Sequence, residues 1–231
     1  VAEDGRLTIK IPKEPYPDFA KNTIKVKRKI TTRDLKIKTN KEHPHTRIIK
    51  IIEGSAMTKE IIEEMTNIRG EIKQDIKRDI IKIAVIERHK TTGNIGLGLV
   101  KGFEIKEGAA ASTIAHDSHN IIAIGTNDKD MMNAINKVID TKGGIAIVKD
   151  NKPMATLELP IAGLISSEEN IRLYKKLMKM EKAWRRIGCK IKSPHMTLSI
   201  LALPVIPELR ITDKGLIDVK ESRRVPLIVE E

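Results

Sequence analysis

The chain has 231 residues, enough for one large domain or two small ones with real cores. Its 40% apolar and 32% charged residues exclude a disordered chain, and no apolar run approaches the roughly 18 residues of a membrane span. The net charge of +12 admits a nucleic-acid binder, with the densest basic stretch between Lys21 and Lys50. The five aromatic residues (Tyr16, Phe19, Phe103, Tyr174, Trp184) are scattered, however, so no stacking platform is interleaved with that charge. A solvated basic surface is the expectation, and nucleic acid is not an expected partner. The single Cys189 permits neither an intramolecular disulfide nor a thiolate metal cluster, which agrees with a cytoplasmic protein. The opening Val1–Gly5 has no signal-peptide layout and no initiator Met, so nothing follows about targeting.

In chain order, residues 1–11 alternate around Asp4-Gly5, predicting a hairpin with Leu7, Ile9 and Ile11 on one side. Pro12, Pro15 and Pro17 then break the pattern. Residues 22–50 read as short charged strands and loops that need other residues to complete a sheet. Ile48 to Ile52 reads as a strand, and Thr58 as the cap of a short helix running to Met65. Ile80 to Glu87 is an almost unbroken Ile/Val run, the mark of a central strand. Gly93, Gly96, Gly98 and Gly102 follow without the spacing of a dinucleotide loop.

Ile121 to Ile124 predicts a buried strand leading into a helix announced by Thr126 to Asp130. Met131, Ile135, Val138 and Ile139 form its stripe, and Gly143 ends it. Ile145–Val148 and Met154–Leu157 predict a hairpin across Asp150-Asn151-Lys152. Ser166 and Ser167 open the longest helix, whose Leu173, Leu177, Met180, Trp184 and Ile187 share one face before Gly188. Core packing explains those Met and Trp positions better than a cofactor box.

Three segments resist periodicity. His116-Asp117-Ser118-His119-Asn120 follows Ala115 as a polar cluster at the mouth of a buried strand, where unpaired polar groups are costly. His116 and His119 could ligate a metal and Asp117 could orient an imidazole or accept a proton; a hydrogen-bonded structural turn is the competing reading. Leu159 to Leu164 and Met196 to Pro207 are apolar, proline-bounded and irregular, fitting either tight packing or an interface with a missing partner. His43-Pro44-His45 has the His-x-His form of amidohydrolase barrels, but the roughly 250 residues of alternating strands and helices that must follow are not here. It reads as coincidence.

These segments, with Val85–His89, Thr92–Gly96, Val100–Phe103, Gly125–Asp128 and Thr212–Leu216, resemble in order and spacing the C-terminal region of microbial adenine deaminases of the amidohydrolase superfamily. His195 stands where that pattern has an aromatic residue, and Ile165 where Met is common. The resemblance implies an α+β chain lacking the TIM-like barrel. Residues 1–50 would be the C-terminal part of a small β domain, and residues 51–231 an α+β domain of mixed sheet and helices. It implies hydrolysis of adenine to hypoxanthine and ammonia by a manganese- or iron-activated water whose ligands lie in the barrel, none of them in this chain. The implied partners are adenine, the N-terminal barrel in cis or in trans, and further copies of the chain; no membrane is implied. His116, Asp117, Ser118, His119 and Asn120 would then form a barrel-facing or substrate-pocket loop. A non-catalytic binding or regulatory module derived from such an enzyme is the alternative.

Overall fold

The computed structural model describes residues 2–4, 6–9 and 15–230. The opening hairpin pairs β1 (Ala2–Glu3) with β2 (Arg6–Leu7), Ala2 opposite Leu7 and Glu3 opposite Arg6. Ile11 and Pro12 lie outside the described residues. After β3 (Ile37–Lys38) come β4 (His45–Ile51), β5 (Thr58–Glu64), β6 (Asn67–Ile68), β7 (Glu71–Ile72), β8 (Ile80–Ile86), β9 (Ile95–Lys101), β10 (Ala109–Ser112) and β11 (Ile121–Gly125). Helix α1 (Asp128–Asp140) leads to the hairpin β12 (Gly144–Lys149) and β13 (Lys152–Glu158), then α2 (Asn170–Arg186) and α3 (Pro194–Ile200). A final meander is β14 (Leu209–Thr212), β15 (Gly215–Asp218) and β16 (Arg223–Val225).

Eight of these strands form the central sheet, in the order β13-β12-β10-β11-β8-β9-β4-β5. Its neighbours are antiparallel except β4 and β9, which run parallel with Ile48 opposite Leu99. The Ile/Val run of β8 is explained by cover on both faces. Alternation sends Ala84 and Ile86 toward α1, where they meet Met131, Ala134, Ile135 and Val138 together with Ile30 and Leu35. Ile81, Ile83 and Val85 point the other way, toward Met180 and Trp184 of α2 and Ile187 just after it, Leu198 of α3, and Leu209 and Ile211 of the meander. The buried Lys82 of β8 donates to the Leu35 carbonyl at 2.6 Å and pairs with Asp128, tying residues 32–35 and the start of α1 to the sheet. Gly96 allows β9 to pass beneath the meander: a Cβ there would lie 1.9 Å from the Thr212 carbonyl oxygen.

The α+β class is as expected, with helices few and no closed barrel among the described residues. The helix expected from Thr58 to Met65 is instead β5, an edge strand. Lys59, Glu60, Glu63 and Glu64 have good helix propensity, but tertiary pairing overrides it. The Thr58 hydroxyl, expected as a cap, donates to the Leu209 carbonyl at 2.9 Å, and Glu60 pairs with Arg47 of β4 at 3.0 Å. Its charges suit an exposed edge. Helix α2 starts at Asn170, later than Ser166, and its Leu177 is exposed. Part of the irregular third segment is helical, as α3. The boundary expected at residue 50 falls inside β4, and Ile24, Val26, Ile30 and Leu35 before it pack on the same sheet. Within the basic stretch Arg28 pairs with Asp34, Lys29 with Asp140 and Lys36 with Glu71. No described helix is long and apolar enough to cross a membrane.

Candidate functional site

The sheet's central strand ends at Ile86, and the next residues build a polar platform. Glu87 is buried and accepts the N–H groups of His89, Lys90 (2.6 Å) and Thr92 (3.0 Å) and the Thr92 hydroxyl (3.0 Å). Burial works against its charge, yet these donors hold it below the usual carboxylate range. Arg88 is buried too, and no carboxylate meets it among the described residues. Its guanidinium donates from Nε to the His119 carbonyl, from one Nη to the Thr23 carbonyl (3.3 Å) and hydroxyl (3.2 Å), and from the other to the Ala162 carbonyl (3.2 Å). Burial lowers its pKa to about 10, so it stays charged at neutral pH. Gly163 lies against the guanidinium with φ +74°, and a Cβ there would sit 3.0 Å from Nη1.

Arg88 thus gathers the residue 20–23 turn, the His116–Asn120 loop and the Leu159–Leu164 segment at one end of the sheet. Secondary contacts close the arrangement. The Thr113 hydroxyl donates to the Gly163 carbonyl at 2.6 Å, and the Ala162 N–H to the Ala20 carbonyl at 2.6 Å. Asn120 is buried: its side-chain oxygen accepts the Arg88 N–H at 3.2 Å, and its amide donates to Asp213 at 3.3 Å. Asn94 donates to the other Asp213 oxygen at 3.1 Å. The Thr92–Gly96 and Thr212–Leu216 motifs therefore join the same network.

The five expected residues fall into two groups. Asn120 faces inward as a strut. His119, with φ +50°, has its ring nitrogen Nδ1 accepting the Ala115 N–H at 3.3 Å. Burial, then the neighbouring His116 and Arg88, lower its pKa, so its imidazole is neutral at pH 7. The half-buried His116 meets the His119 ring edge-on, centroids 5.3 Å apart, and its N–H donates to the Ser199 carbonyl of α3 at 3.2 Å. Asp117 and Ser118 are exposed, and the Ser118 carbonyl meets Nε2 of the exposed His89 at 2.7 Å. Beside His89 a shallow cavity of about 450 Å³ is lined by Asp18, Phe19, Lys21, Asn22, Thr23 and Lys25. Chemically this surface can accept and donate hydrogen bonds and take up protons. Among the described residues no three His, Cys, Asp or Glu side chains converge to hold a metal ion.

Residue-by-residue reading missed Arg88, Asn94 and Asp213 as members of the site. A signal for Arg88 was present: two charged residues, Glu87 and Arg88, directly follow a strand buried on both faces. A better-enclosed cavity of about 490 Å³ lies elsewhere, between residues 51–58, residues 190–193 and α3, with Arg210 in its wall. Its wall carries Glu53, Glu104, Lys190 and Lys192 as well, with Lys190 paired to Glu104 at 3.2 Å, but no histidine; the Arg88 platform, which brings His89, His116 and His119 together, is the stronger candidate.

The fold and platform define an α+β domain that displays a polar loop from a buried cationic hub. The adenine deaminase C-terminal domain family matches residues 55–223, and the chain belongs to that family. It is 43% identical over 232 residues to an adenine deaminase of Clostridium botulinum (strain 657 / Type Ba4), covering 100% of this chain and 39% of that protein. It is 39% identical over 230 residues to the adenine deaminase of Moorella thermoacetica, covering 99% of this chain and 39% of that protein. The adenine deaminase of Archaeoglobus fulgidus is 43% identical over 212 residues, 92% of this chain and 36% of that protein. The chain therefore spans about two fifths of the length of these relatives.

Proposed function

We propose that this chain serves adenine deamination, the hydrolysis of adenine to hypoxanthine and ammonia, as the C-terminal part of a larger cytoplasmic assembly. In this reading the metal-activated water, on manganese or iron, belongs to a barrel outside these residues, supplied in cis or in trans. In the loop His116-Asp117-Ser118-His119-Asn120, Asn120 is the anchor and the residues before it face that barrel. The loop closes the substrate pocket or hydrogen-bonds the substrate or a catalytic group.

The observation that carries this reading is the convergence on Arg88. A domain that needed only stability could bury that end of the sheet with apolar residues. Here an uncompensated guanidinium holds three loops by their carbonyls and leaves His89, His116, Asp117 and Ser118 facing outward. Polar side chains on loops fixed by a rigid scaffold are where function concentrates. The test is His119→Ala in the complete enzyme. Adenine turnover per folded molecule is expected to fall, beyond the modest loss of melting temperature that follows from unpairing the Ala115 N–H; lost stability with normal turnover per folded molecule would make the loop structural.

A further inference from the structure

Helix α2 is packed over only half its length. Met180, Ala183 and Trp184 are buried in its C-terminal half, whereas residues 170–179 lie at the surface apart from the half-buried Leu173 and Lys176. That outer half nevertheless exposes Ile171 (71%), Tyr174 (63%), Leu177 (42%) and Met178 (38%). Ile171, Tyr174 and Met178 recur at i, i+3 and i+7, one continuous stripe on the side away from the core. Clustered apolar exposure of this kind marks a contact surface, and so short a helical stretch is marginal in water without one. One flank of the stripe carries Lys175, Lys179, Lys182 and Arg186, all exposed, and among the described residues none of the four meets a carboxylate within ion-pair distance.

We infer that this face of α2 docks an acidic-flanked apolar segment of the longer polypeptide, which rests on the reading that the chain works within one. Two observations select that occupant. The chain spans about two fifths of its relatives' length, so a protein of their size has more than half its residues available to cover exposed faces. The charge is one-sided. In a two-fold antiparallel pairing of α2 with a second copy, the same flank meets the same flank, and four cations would face four cations. A segment with carboxylates along one edge and apolar side chains beside them satisfies both features of the helix.

Hydrogen exchange at the α2 amides, in this chain alone and in the longer polypeptide that carries it, tests the inference. The amides of residues 170–179 are expected to be protected on the order of 100-fold more in the longer polypeptide. Lys175→Glu with Lys179→Glu, and separately Tyr174→Ala, are each expected to reduce that protection about tenfold. These side chains are exposed, so folding of the domain itself is preserved. Equal exchange in both proteins overturns the docking. So does protection that appears in the chain alone as its concentration rises, which identifies a second copy, or only with phosphatidylglycerol vesicles, which identifies a lipid surface. Adenine turnover that still depends on His119 while residues 170–179 stay unprotected removes the docking and leaves the function intact. Protected amides with turnover indifferent to His119 do the reverse.

Discussion

Two buried arginines each organise a separate set of loops, and they resemble each other closely. Arg88 and Arg210 are both buried, both lack a carboxylate partner among the described residues, and both have a pKa lowered to about 10 by burial. Each spends its donors on backbone carbonyls. Arg210 donates to Ile206 at 2.6 Å, to Ile200 at 3.5 Å, to Pro207 at 3.3 Å and to Ala56. The difference lies in what is held. Three of the carbonyls on Arg210 come from residues 200–207, so it mainly staples one turn to the residue 56 loop. Arg88 holds carbonyls at residues 23, 119 and 162, far apart in the chain, and the loops it fixes end in outward polar side chains. The same chemical device stabilises one region and displays the other.

The sharpest way to break that comparison is to remove each guanidinium. Arg88→Met and Arg210→Met each leave several buried carbonyls unpaired, and each is expected to cost about 3–5 kcal/mol. Denaturant midpoints would measure this, with the slope unchanged if unfolding remains two-state. The functional outcomes should separate. On the proposed reading, the longer polypeptide with Arg210→Met retains adenine turnover per folded molecule, whereas with Arg88→Met it loses it. Arg88→Lys keeps the charge but cannot point donors in three fixed directions, so it should recover only part of the stability. Full recovery by Lys would show that charge, rather than direction, is what Arg88 supplies.

The comparison also shows where sequence reasoning reaches its limit. The strands β8, β11 and β12 are legible as the short unbroken apolar runs that cover on both faces demands, β13 as the second arm of a hairpin across Asp150-Asn151, and α1 by its stripe at a period of 3.6. The His116–Asn120 loop is legible because polar residues interrupt apolar surroundings. β5 is not, since Lys-Glu-Ile-Ile-Glu-Glu satisfies either period and only its pairing with β4 decides. Arg88 as a hub is not legible either. Its partners are carbonyls, which every residue has, so no side-chain pattern announces that residues 23, 119 and 162 meet.

A smaller effect isolates the contact between the Arg88 hub and the Leu159–Leu164 turn. Gly163→Ala places a Cβ 3.0 Å from the guanidinium at φ +74°, which strains the backbone and crowds Arg88 together. The expected cost is about 1–3 kcal/mol. Gly54→Ala is the control: its φ is +73°, almost the same, but nothing lies within 4 Å of the new Cβ, so it carries backbone strain alone. A Gly163 variant no less stable than the Gly54 variant would mean that the turn does not bear on Arg88.

The smallest effect concerns α3 itself, which lies between the two clamps through the Ser199 carbonyl toward His116 and the Ile200 carbonyl toward Arg210. His195 anchors α3 against Trp184, ring centroids 5.4 Å apart at 74°, with the indole N–H 3.0 and 3.1 Å from the two imidazole nitrogens. Phe keeps the edge-on packing but removes the acceptor of the buried indole N–H, so His195→Phe is expected to cost about 1–2 kcal/mol at pH 7. The pH dependence should change more. Burial lowers the pKa of His195 to about 4 from 6.5, so between those values the unfolded chain binds more protons than the folded one. Stability from this group is complete above pH 6.5 and declines as the pH falls toward 4, by up to about 3 kcal/mol. Thermal melts from pH 7 to 4 should therefore be flatter for His195→Phe than for the parent. An equally steep decline in both would place the responsible proton on another group, His119 being the first to examine because its pKa is lowered by burial as well.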